Sequence, residues 1–184
     1  MINLPMLATR FLALAVLIVV CIFSPAATSA GWHLFHGMSI EYHGLHVRVP
    51  WLWTADSESL GDDPPLNPQG LLLSKAAPSL LTQHKSVATI YVNVLLPDAT
   101  GTEQKDIAEW ESTFRLAHTH PGSEVAVAPI PGGKGAACFQ ARSKLFPTRL
   151  EWTCISLQGG WAASFDGSQA EAPAFVKLVT SLKP

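Results

Sequence analysis

The sequence predicts an α+β domain in which a mostly antiparallel β-sheet packs with helices. Alternating apolar and polar runs fall into two groups, each followed by a segment with helical apolar spacing, so the order reads ββββ, α, ββββ, α. Hydrophobic residues make up 48% of the 184 residues and charged ones 14%, which excludes an intrinsically disordered chain. Twelve Lys and Arg stand against 14 Asp and Glu, for a net charge of −2. A binder that neutralises phosphates is usually basic, so no nucleic-acid partner is expected.

The N-terminus reads as an address. Phe11 to Phe23 is apolar without a break, Arg10 is the only charge in the first 30 residues, and SPAATSA follows. A basic residue, a short apolar core and a small-residue exit make a secretory signal peptide. Thirteen helical residues span about 20 Å, short of the roughly 30 Å hydrocarbon core. Cleavage after Ala30 would leave Thr28 and Ala30 at the two small-residue positions. The alternative is an uncleaved anchor over residues 11–30, against which Pro25 argues; a lipoprotein using Cys21 is disfavoured by the bulky Val20. The expected organisation is a signal peptide over 1–30 and one domain over 31–184, exported to the periplasm or beyond the cell, with membrane anchoring by residues 11–30 as the alternative.

In SIEYHGLHVRVP, residues 39–50, two alternating runs flank His43-Gly44, a hairpin signal. The following WLWTADSESLGDDPPLNPQG, residues 51–70, reads in its later part as a long Pro-rich loop. GLLLSK (70–75) is a short strand, and VATIYVNVLL (87–96) a central one covered on both faces. Thr100 and Glu103 fit a capping box, and Ile107, Trp110, Phe114 and Ala117 share one helix face that ends before Pro121-Gly122. Strands are expected over 124–129, 135–142, 149–157 and 160–166. A last helix over 170–182 carries Phe175, Leu178, Val179 and Leu182 on one face. It starts either from a Ser168/Glu171 capping box or later, with Pro173 at its first position.

These segments carry a resemblance. YHGLHVRVP followed by Trp, the acidic-capped helix, the paired strands about a hairpin, and the closing F-x-x-L-V-x-x-L-K resemble the PsbP-like family over most of residues 38–184. That family includes the extrinsic photosystem II subunit, a Ran-binding nuclear-transport factor and secreted bacterial proteins of unknown role. The resemblance implies an α/β/α sandwich and a binding or accessory role rather than an enzymatic one. It transfers no active site, and the Pro-rich loop at 57–69 departs from the simplest form of the pattern.

Cys138 and Cys154 are the cysteines left once residues 1–30 are set apart. Placing them opposite each other in one hairpin sets Gln140 against Trp152 and Arg142 against Leu150. The tip then falls over Lys144 to Thr148. A structural disulfide is the first reading, worth about 3 kcal/mol in the chain-entropy model. Two buried free thiols or a redox pair are the others, the last weakened by the lack of C-x-x-C. At the tip, Leu145 and Phe146 are ringed by Arg142, Lys144 and Arg149, which suits contact with a protein partner or an anionic membrane surface. The same residues also suit a tip folded back on the core.

His33, His36, His43 and His46 form H-x2-H-x6-H-x2-H, the set to test for metal, although solvent-facing histidines on a hairpin explain them too. PIPGGKGA (129–136) lacks the P-loop spacing, and no G-x-S-x-G elbow occurs. No cofactor motif is read. The leading functional expectation is therefore a non-enzymatic binding or accessory protein of the cell envelope with an unknown partner. The alternatives are metal binding by the four histidines and an enzyme of unidentified class with a site near the 57–69 loop.

Overall fold

A computed structural model of the chain describes residues 14–15, 24–58, 70–76, 86–95, 107–119, 123–127, 136–143 and 147–183. In order these form α1 (Pro25–His36), β1 (Ser39–Tyr42), β2 (Leu45–Arg48), β3 (Thr54–Glu58), β4 (Gly70–Ala76), β5 (Ser86–Val94), α2 (Ile107–Ala117), β6 (Ser123–Val127), β7 (Ala137–Ser143), β8 (Arg149–Ser156), β9 (Trp161–Ser168) and α3 (Ala172–Ser181). The fold is α+β. A seven-stranded antiparallel sheet runs β3-β4-β5-β9-β8-β7-β6, and β1-β2 stands apart as a hairpin.

The hairpin forms at its expected turn. His43 (φ 48°) and Gly44 (φ 84°) both take positive φ, as a type I′ turn requires, and Tyr42 then faces Leu45. Its alternation buries Leu45 and Val47 and exposes His46 and Arg48.

Period-2 alternation gives the large sheet two different faces. On the first, Leu73, Ile90, Val92, Leu150, Cys154 and Phe165 pack under α3 and the β1-β2 hairpin, together with Trp53 and Phe175. On the second, Phe114 from α2 covers Phe139, Ala141, Ile155 and Ala162. Beside it on that face runs a polar row, Thr89, Asp166 and Glu151.

The structure corrects two expectations and adds one helix. Thr54–Glu58, where no strand was expected and whose last two residues fall in the loop expected over 57–69, is a strand antiparallel to β4, with Asp56 opposite Leu72. Backbone pairing at a sheet edge asks little of side chains, so the polar TADSE can join it. The Ser168/Glu171 capping box does not form: Glu171 is the N-cap without a side-chain cap bond, and Pro173 sits in the first turn. The small-residue stretch after Phe23 is helical from Pro25, with Ser24 as N-cap accepting from the Ala27 amide at 3.1 Å.

That helix is tied to the sheet. Ser29, 1% exposed, donates its hydroxyl to the Trp53 carbonyl at 3.2 Å, and the Trp32 indole donates to Ala55 O at 3.1 Å. The Thr100/Glu103 box, the Asp62-Asp63 pair and most of PIPGGKGA lie outside the described residues.

Candidate functional site

β7 and β8 pair in the expected register, Cys138 opposite Cys154, Gln140 opposite Trp152 and Arg142 opposite Leu150. The two sulfurs are at bonding distance, 2.17 Å, with Cα atoms 4.1 Å apart. Both cysteines are buried, and the bond crosslinks the two strands of the hairpin on the sheet face that α3 covers.

On the same face, residues of β7, β8 and α3 line a groove of about 790 Å³. Its apolar surface includes Trp152, Pro173 and Val176, and its polar surface Gln140, Arg142 and Lys177. The groove follows from two periodicities. Alternation puts Gln140, Arg142, Leu150 and Trp152 on one face. On α3, Pro173, Val176, Lys177 and Thr180 stand at i, i+3, i+4 and i+7, beside the buried stripe of Phe175, Leu178 and Val179. Among the described residues the groove lining has two cations and no carboxylate. The Trp152 ring meets Phe175 edge-on at 5.9 Å, and its buried indole N–H has no acceptor among the described residues.

Of the five residues expected at a partner surface, Arg142 is exposed and on this groove. Lys144, Leu145 and Phe146 lie outside the described residues. Arg149 is engaged: its Nε donates to Asp166 Oδ1 at 2.6 Å and its Nη2 to Oδ2. The carboxylate beside it raises the guanidinium pKa further above its ordinary value. Sequence reasoning missed Gln140, Trp152 and Lys177. The hairpin register and the second stripe of α3 were the signals for them.

The polar row on the second face lines two smaller cavities, of about 320 and 240 Å³, that share Thr89 and Asp166. Its charges are paired. Besides the Arg149 fork, His118 lies with Nε2 2.8 Å from Glu151 Oε2 and Nδ1 2.7 Å from the Phe114 carbonyl. With both ring nitrogens and both carboxylates engaged, the row reads as electrostatic closure of the sheet around the end of α2.

The four N-terminal histidines are not gathered. His33 is buried, its ring nitrogens 2.9 Å from Gly37 O and 3.3 Å from Pro50 O, and it stacks on Trp51. His36 stacks on Trp32. His43 occupies the hairpin turn, and His46 stands across from Glu41. Among the described residues no three His, Cys, Asp or Glu side chains come close enough to hold a metal ion. Of the loop over 57–69, residues 57–58 belong to β3 and 59–69 lie outside the described residues.

No protein-family model matches the chain, and a search of curated proteins finds no match to it.

Proposed function

We propose that this chain is an exported, non-enzymatic binding or accessory protein of the cell envelope, and that its groove takes an acidic segment of a partner protein. The observation that carries this reading is the groove itself: Arg142, Lys177 and Trp152 line it together, and among the described residues of its lining no carboxylate offsets the two cations. On a chain of net charge −2, such a local excess of cations selects an anionic partner. The apolar surface of Trp152, Pro173 and Val176 supplies burial. The resemblance to the PsbP-like family, which implies a binding or accessory role, supports the same class of role, and the apolar N-terminal run supports export.

The test is in-cell photocrosslinking from the groove rim, with the probe at Thr180 in the full chain. The expected result is one partner whose captured peptide is rich in Asp and Glu. Its capture is lost when Arg142→Glu and Lys177→Glu are combined. Capture unaffected by the double reversal overturns the groove assignment. Hydrolytic turnover by the purified protein, abolished by one side-chain change, overturns the non-enzymatic reading.

A further inference from the structure

A second surface, independent of the groove, lies around the C-terminal end of α1. Leu34 and Phe35 are 81% and 84% exposed, and Trp51 and Met38 are also open to solvent. Trp51 reaches this end of α1 by stacking on His33, and Met38 by accepting from the Val49 amide at 3.0 Å. The inward side of the helix is the one that holds Ser29 and His33. The outward side shows Ala26, Thr28, Ala30, Leu34 and Phe35. No Asp, Glu, Lys or Arg occurs between Arg10 and Glu41.

We infer that this side of α1 lies flat on a lipid bilayer, with Leu34 and Phe35 inserted at the interface and α1 kept whole. Continuity of the chain names the occupant. The thirteen-residue apolar run ends at Phe23, one residue before α1's N-cap. Ser24 is extended (φ −74°, ψ 144°), so α1 begins afresh at its own N-cap. A run that enters the bilayer therefore delivers α1 to its surface, where a 12-residue helix of about 18 Å can lie in the plane. Trp51 has the amphipathic ring suited to headgroup depth. Cleavage after Ala30 would instead divide α1 and remove Ser29, the residue whose hydroxyl donates to the Trp53 carbonyl just ahead of β3. Because α1 carries no Lys or Arg, its attachment rests on apolar burial rather than on attraction to anionic lipid.

The experiment uses the full chain with Cys21→Ser, reconstituted in phosphatidylcholine vesicles and spin-labelled at Leu34→Cys, Phe35→Cys or, as a reference, the exposed Leu116→Cys on α2. All three positions are solvent-facing, so the core is left untouched. Collisions with lipid-soluble oxygen are expected to exceed those with a water-soluble nickel chelate at 34 and 35, with the ratio inverted at 116. The pattern should persist at high salt. Labels at 34 and 35 that behave like 116 overturn the inference. So do labels shielded from both agents, which would mean a protein covers this side. N-terminal sequencing of the chain from membranes that begins at Gly31 overturns it as well.

Discussion

Lys75 and Glu171 are joined by a fork: the Lys75 ammonium donates to both carboxylate oxygens of Glu171 at 2.8 Å. The pair links β4 to the N-cap of α3, which explains why Glu171 does not close a capping box with Ser168. The carboxylate still sits at the positive end of the helix dipole. Both side chains are partly exposed, at 24% and 18%, so solvent screens much of the attraction. Glu171→Gln is expected to cost about 1 kcal/mol, read as a lower urea midpoint. An unchanged midpoint would mean that α3 is held by Phe175 and Leu178 alone.

The disulfide joins cysteines 16 residues apart. Closing a loop of that size lowers the entropy of the unfolded chain by about 3 kcal/mol. The double variant Cys138→Ser, Cys154→Ser should lose about that much stability in chemical denaturation. Reductant should lower the wild-type midpoint toward the double variant's and leave the double variant unmoved. Equal stability with and without reductant would show that the bond does not form in the native protein.

What the sequence made legible follows from pattern strength. The β1-β2 turn, the β7-β8 register and the α3 stripe each rest on a strict period or on a pair of marked residues. Tyr42–Leu45, Cys138–Cys154 and Phe175–Leu178 accordingly occur where expected. β3 was hidden because its polar residues make it a strand only by pairing with β4. α1 was hidden because small residues after a short apolar run read as a cleavage site. The Ser29 bond to the Trp53 carbonyl, the Trp32 bond to Ala55 on β3 and the His33 contacts with Pro50 and Trp51 mark the helix as part of the fold. The groove was half legible. Arg142 was on the page as a charge at the hairpin tip, whereas Trp152 and Lys177 meet it only once α3 lies across the hairpin.

Gly167 marks a close approach between strands. A Cβ there would come within 2.5 Å of the Ala88 Cβ and 2.8 Å of the Phe165 ring. Ala88 is 2% exposed and cannot swing aside, since a lone methyl has no rotamer to change. Gly167→Ala is therefore expected to overpack the sheet and cost about 1–3 kcal/mol. Adding Ala88→Gly should restore part of the loss, and a double-mutant cycle on urea midpoints measures the coupling. Strictly additive effects would rule out the clash as the cause.

Tyr42 gives the protein an alkaline limit. Its side chain is buried at the end of β1, and burial pushes its phenol above the ordinary value of 10.0 by disfavouring the anion. Between that value and the raised one, the folded chain keeps a proton that the unfolded chain has released. Unfolding then releases protons, so stability falls as pH rises. Below the ordinary value both states hold the proton and Tyr42 contributes no slope. Tyr42→Phe removes the titration. The variant should differ from wild type by a constant amount up to about pH 9, and the difference should shift in the variant's favour above about pH 10. Urea midpoints of the two proteins across that range check it. A difference that stays constant through the range would mean that the phenol ionises as readily in the folded chain as in the unfolded one.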